Sequence, residues 1–183
     1  MSNLYYSGTC QLVNVHADVV NPGDGITYQN DPSTSPQNPV GIITRFRGNL
    51  FRYVLVNDTT GTPVAGAPAY FISGGLVPST NTFSVSTDVA SNEGTANVLA
   101  GVFLSTPTAG NYTWVQIGGV SVVPLVLDGG AAGDKVTAQS TATFTHIAAG
   151  TSANYQVYGV LLEAQGATVS GCAKCLLYPV MVW

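Results

Sequence analysis

The sequence predicts an all-β domain: a single β-barrel, β-tulip or sandwich-like fold of short antiparallel strands with an extended N-terminal arm. Three observations carry this. Roughly ten to twelve short apolar runs are separated by turn signals about every 8–12 residues. The clearest runs alternate apolar and polar positions or are rich in Val, Ile, Tyr, Phe and Thr. No stretch repeats with a helical period, although a single helical turn would fit at 88–94.

In chain order, residues 1–39 read as an arm and Pro-rich connector and residues 40–183 as the barrel-like domain. Within the arm, Leu12, Val13, Val15, Ala17 and Val19 mark one strand candidate, with Asn14, His16 and Asp18 between them. Asn21-Pro22-Gly23-Asp24-Gly25 is a turn by composition. Pro32, Pro36 and Pro39 exclude both helix and regular ladder from the segment that follows. The alternative for 1–39 is that it packs on the domain as edge strands.

Strands are then expected over 40–43, 50–56, 68–73, 82–87, 98–104, 112–117, 120–127, 135–138, 142–147, 155–164 and 175–183. The stretch 97–136 organises the rest and reads as a three-stranded meander. Thr106-Pro107-Thr108-Ala109-Gly110-Asn111 breaks its first strand, and Gly118-Gly119 has the chemistry of a tight hairpin turn between the second and third. Ala131-Ala132-Gly133-Asp134 is a further turn. Pro179 places the last apolar strand at an edge or a bend.

Charged residues make up 8% of the chain, against about 25% in an average soluble domain. A neutral, β-rich surface of this kind suits assemblies or covered interfaces, and it also suits an ordinary secreted β-domain. The net charge of −4 supplies no general attraction to nucleic acid. Arg45, Arg47 and Arg52 cluster within eight positions. They read either as a patch for an acidic protein partner or as arginines facing solvent on alternate strand positions. The N-terminus lacks the basic and apolar regions of a secretory signal, and no apolar run approaches about 18 residues. The expectation is a protein made in a cytoplasm, with no membrane partner.

Little in the chain points to chemistry. His16 and His146 both fall in expected strands, away from any glycine-rich elbow, and read as satisfied strand histidines. Most acidic residues, Asp134 among them, sit at turns, where Asp has a local hydrogen-bonding reason to be. Cys172-Ala173-Lys174-Cys175 is a C-x-x-C. It offers half a zinc site that Cys10, His16 or His146 would complete, or a local disulfide, or small core residues. A thioredoxin-like role would need a helix after it, and none follows. No cofactor and no enzymatic activity are expected. Tyr112, Trp114 and Trp183 are the contacts that a fibre, adhesin or carbohydrate-binding domain would use, although Tyr112 and Trp114 also read as core.

An ordered set of residues carries a family resemblance: Ala96-Asn97-Val98, Gly101-Val102, Ala109-Gly110, Val115-Gln116, Gly119-Val120, Leu127-Asp128-Gly129, Ala132-Gly133-Asp134 and Val136, then Gly159-Val160-Leu161-Leu162-Glu163-Ala164. With Leu50-Phe51-Arg52-Tyr53-Val54 upstream, residues 48–182 resemble the small decoration (cement) proteins that stud the capsids of tailed bacteriophages. The resemblance implies a β-barrel or β-tulip, a homotrimer at threefold lattice positions, and a place on the capsid surface of the virion. It also implies a non-enzymatic role, stapling neighbouring major capsid protein subunits, with an N-terminal arm that reaches over the shell. Position and charge then select Leu4, Leu12 and Val15 of the arm, with Arg45, Arg47 and Arg52, as the capsid-facing residues.

Overall fold

The computed structural model describes residues 32–46, 48–57, 63, 65–72, 83–87, 99–124, 130–138, 144–150, 157–164 and 172–178, and the described residues contain strands and no helix. The strands are β1 (Ile43–Phe46), β2 (Asn49–Val56), β3 (Pro68–Phe71), β4 (Ser84–Ser86) and β5 (Leu99–Phe103), then β6 (Tyr112–Pro124), β7 (Lys135–Ala138), β8 (Phe144–Ile147), β9 (Gly159–Leu161) and β10 (Cys172–Leu177). The strand candidate in the arm lies outside the described residues.

Five strands close a barrel in the order β2-β4-β3-β5-β6, with β6 pairing back onto β2. The β2–β4 contact is parallel and the other barrel contacts are antiparallel. β2 explains the closure. Its sequence, NLFRYVLV, is almost continuously apolar, as a strand covered on both faces must be. Its inward residues Leu50, Val54 and Val56 pack with Phe71, Val85, Phe103, Val115 and Ile117. Its outward residues Phe51 and Tyr53 pack with Leu104 and Trp114 under Val40, Ile42 and Tyr112.

The connector lies along this outer face. Ser33 and Tyr112 exchange two backbone hydrogen bonds of 3.0 and 2.7 Å, and the Gln37 N–H donates to the Tyr53 hydroxyl at 3.1 Å. Residues 32–42 thus cover aromatic surface that the barrel would otherwise expose. The prolines do not prevent this, because single bonds and apolar contacts replace a ladder.

One edge of β2 changes partner part-way along. β1 pairs with residues 49–52 and β4 takes over at Leu55 and Val56. At the change, the Gly41 N–H donates to the Tyr53 carbonyl at 2.7 Å and the Leu55 N–H donates to the Phe83 carbonyl at 3.0 Å. Gly41 has a φ of +89°, and a Cβ there would collide with the Phe83 ring. The Phe83 side chain therefore fills the seam between β1 and β4 only because residue 41 is glycine. This turn also moves the first strand to Ile43–Phe46, later than the expected 40–43.

The expected hairpin at Gly118-Gly119 is absent. β6 runs through both glycines as one 13-residue strand. Its first half closes the barrel against β2 and β5, and its second half pairs with β10, at the start of a second sheet ordered β6-β10-β9-β7-β8. The glycines make a bend instead of a reversal. Leu50 pairs with Gly118 while Phe51 pairs with Gln116, so Ile117 is an extra residue in the ladder. Gly119 has a φ of +90°, and a Cβ on it would run into Asn49 Oδ1. That oxygen accepts the Val120 N–H at 2.9 Å. Gln116 Nε2 donates to the Val120 carbonyl at 2.8 Å and to the Gly118 carbonyl at 3.2 Å. Side chains thus replace the ladder bonds that the bend removes. Between barrel and second sheet lies a core of Tyr70, Leu99, Val102, Val136, Phe144, Tyr158, Leu161 and Cys175.

Gly119→Ala should destabilise the protein by about 1–2 kcal/mol from backbone strain alone, and by more once Asn49 is displaced. Asn49→Ala should cost about 1–3 kcal/mol through the orphaned Val120 N–H. Urea unfolding monitored by tryptophan fluorescence and far-UV circular dichroism measures both, and wild-type stability for both variants would show that the bend is not held this way.

Candidate functional site

Arg45 and Arg52 do not form one patch. They sit on the two paired strands β1 and β2, and Gly48, just before β2, has a φ of +83°. Arg45 is exposed on β1, beside the 40% exposed Ile43. Leu4, Leu12, Val15 and Arg47 lie outside the described residues. Arg52 is 1% exposed, so the reading of it as a surface contact is corrected. It occupies an inward position of β2, and β2 is a barrel wall, not the solvent-facing strand that the arginine spacing suggested.

Inside the barrel the Arg52 guanidinium packs against a pair of aromatic rings that touch each other, with Cζ 5.4 Å from the Phe71 centroid and 5.5 Å from the Phe83 centroid and the two centroids 6.3 Å apart. Such stacking partly replaces lost water. Nε and Nη1, however, have no hydrogen-bond partner, and burial lowers the pKa of the group from its ordinary value. Phe83 also forms one wall of an open cleft of about 570 Å³, lined otherwise by Pro36, Gln37, Asn38, Pro39 and Val40. The cross-strand partner of Arg52 is the exposed Ile43 on the edge strand β1. Sequence reasoning missed Phe71 and Phe83 as its neighbours. The available signal was an arginine at an inward position of an otherwise apolar strand.

Asp134 and His146 form a second polar cluster. Asp134 Oδ2 accepts the Ala131 N–H at 2.9 Å and lies 2.8 Å from His146 Nδ1, and Oδ1 accepts the Ala149 N–H at 3.1 Å. The carboxylate ties the turn before β7 to the end of β8. These interactions hold its pKa below the ordinary carboxylate value, the Ala131 hydrogen bond first among the causes. His146 is thus a satisfied strand histidine engaged with a turn aspartate.

The C-x-x-C lies within β10. Cys172 and Cys175 are an odd number of residues apart in one extended strand, which places the two positions on opposite faces of the sheet. Cys175 is a free, fully buried thiol whose pKa burial pushes up to about 12. Among the described residues no three His, Cys, Asp or Glu side chains converge as metal ligands. Cys10 and His16 lie outside them. Trp114, one of the candidate carbohydrate contacts, is 1% exposed and packs 5.1 Å from Tyr53. It is core, while Tyr112 is half-buried beside it and Trp183 is outside the described residues.

The outward face of the second sheet carries a cross-strand row in register: Val120, Leu176, Val160, Lys135 and Ile147. Leu162, Leu176 and Tyr178 on this side are 43%, 38% and 45% exposed.

Two predictions follow from these groups. Asp134 has a folded-state pKa below its unfolded value, so its stabilisation is present above about pH 4 and is lost as pH falls through the folded pKa. Asp134→Asn should therefore lower Tm at pH 7, and the gap to wild type should shrink below about pH 4 in thermal melts across pH 2.5–7; a gap independent of pH would refute the assignment. With a pKa of about 12, roughly one Cys175 thiol in ten thousand is ionised at pH 8. Iodoacetamide at pH 8 should leave the peptide containing Cys175 unlabelled in native protein and label it fully in urea, as read by mass spectrometry. No protein-family model matches the chain, and no curated protein matches it.

Proposed function

We propose that this chain is a non-enzymatic viral structural protein that binds the outside of a phage head and stabilises it by bridging major capsid protein subunits, as a homotrimer. The observation that carries the reading is the ordered resemblance over 48–182 to capsid decoration proteins, whose implied architecture is a barrel. The bend gives part of that resemblance a physical role: Gln116, Gly119 and Val120 act together where β6 leaves the barrel.

The surface is compatible with this use. A chain with 8% charged residues meets little desolvation cost in a large interface. Ile43 and Arg45 stand together on β1, which ends the strand order of the described sheet. An apolar residue beside a cation suits an acidic partner with an apolar centre. Leu162, Leu176 and Tyr178 offer a second apolar face for copies of the chain. A lattice presents many equivalent sites, so a trimer converts modest contacts into strong attachment. The proposed capsid-facing set is Leu4, Leu12, Val15, Arg45 and Arg47. Arg52 is removed from it, because at 1% exposure it forms no part of the outer surface.

Quantitative mass spectrometry of purified virions tests the reading. The expected result is about one copy of this chain per major capsid subunit, and absence from the particle overturns it. Light scattering should give a mass three times the 18.9 kDa of one chain. Ile43→Ser with Arg45→Glu, both at exposed positions, should reduce capsid binding about tenfold or more while leaving Tm within about 2 °C.

A further inference from the structure

We propose that Arg52 is the receptor for a single carboxylate group, admitted at the seam between β1 and β4 where Phe83 separates the guanidinium from the open cleft. The inference is independent of the capsid reading.

The starting point is an imbalance. A guanidinium cannot shed its proton under ordinary conditions, so burial leaves it charged. Two of its three nitrogens have no partner, and among the described residues it packs against the rings of Phe71 and Phe83. Ring faces attract a cation but accept no N–H hydrogen bond of ordinary strength. The remaining donors are those that carboxylates satisfy best.

The route is local. β2 hands its edge from β1 to β4 beside Arg52, and the wall there is closed by the Phe83 ring lying over Gly41. Phe83 also lines the cleft of about 570 Å³, within the ordinary range for a small-ligand site of about 300–1,000 Å³. Rotation of one phenylalanine side chain joins the cleft to the guanidinium without breaking a backbone hydrogen bond. Gln37 and Asn38 supply the polar part of the cleft lining.

Charge sets the ligand class. One buried positive charge among Leu50, Val54, Phe71 and Val85 is neutralised by one negative charge. A carboxylate supplies that in a planar group that fits beside two rings. A phosphate dianion would leave a net negative charge buried and pay a second desolvation. The carboxylate has two sources, a free small acid or an acidic side chain of a bound polypeptide, and the cleft admits either.

Thermal melts at pH 7 and constant ionic strength test this with four probes: sodium acetate, sodium phosphate, acetyl-Gly-Glu-Gly-amide and its glutamine counterpart, each against sodium chloride. Acetate at 100 mM should raise the wild-type Tm by about 2–4 °C over chloride. A larger rise with the glutamate peptide than with either acetate or the glutamine peptide assigns the site to a polypeptide side chain, and equal rises for acetate and the glutamate peptide assign it to a free acid. No rise with either carboxylate, or an equal rise with phosphate, overturns the proposal. Arg52→Met should keep or raise the Tm in chloride, since an apolar isostere removes an unpaired buried charge, and should lose the acetate response; a retained response overturns the proposal. Saturation-transfer NMR on the wild type alone gives a reading that needs no variant. Irradiating aromatic protons should transfer magnetisation to the acetate methyl through Phe71 and Phe83, and transfer no greater than that to acetamide overturns the site.

Discussion

β6 is a wall of the barrel for half its length and the first strand of the second sheet for the other half. Both halves of the described fold therefore depend on one bend holding its angle. A strand that leaves a ladder must re-satisfy the backbone groups it frees, and Val120 shows how. Its N–H goes to Asn49 and its carbonyl takes Gln116 Nε2. Gly119 supplies the left-handed backbone and the empty space that Asn49 occupies. Four residues from two strands thus fix the relation between two cores.

The same bend carries a cost on the Gln116 side. Its amide nitrogen is used twice, but Oε1 has no partner although the residue is fully buried. Ser121 Oγ, just past the bend, is in the same condition. Unpaired buried acceptors cost about 1–3 kcal/mol each. The bend tolerates that because its alternative, a straight β6, would expose the cores of both sheets.

Much of the fold was legible because strand sequences declare their burial. The run 50–56 is expected as a strand and forms β2, Asn49–Val56, and Lys135–Ala138 has the bounds its composition suggested. The break before β6 was legible for a chemical reason: Asn111 Oδ1 accepts from the Thr108 N–H and hydroxyl at 3.0 and 2.6 Å, and Gly110 has a φ of +85°. Gly118-Gly119 misled because a two-glycine sequence specifies permissive backbone and not its use. A hairpin and a bend both need positive φ. Only Asn49, 70 residues before Gly119, decides between them. The arginine cluster misled in a related way. Spacing along the chain placed Arg45 and Arg52 together, but Arg45 stands exposed on the edge strand β1 and the barrel encloses Arg52. What surrounds Arg52 comes from β3 and the approach to β4, so no local pattern could name it.

A charge-poor chain makes the enclosed guanidinium more informative. Of five Lys and Arg residues in the sequence, one is spent inside a barrel whose other inward residues on β2 are Leu50, Val54 and Val56. Fold stability alone gives no reason for that choice: a methionine fills similar volume, packs against rings and carries no unpaired donors. Specifying the barrel's closure gives none either, because Arg52 makes no hydrogen bond through Nε or Nη1 that would select one register over another. Where neither packing nor register accounts for a buried charge, the remaining physical use is to attract an opposite one. The placement of Arg52 agrees with that use, since it lies next to the one described edge of β2 that changes partners and behind a side chain held by a glycine.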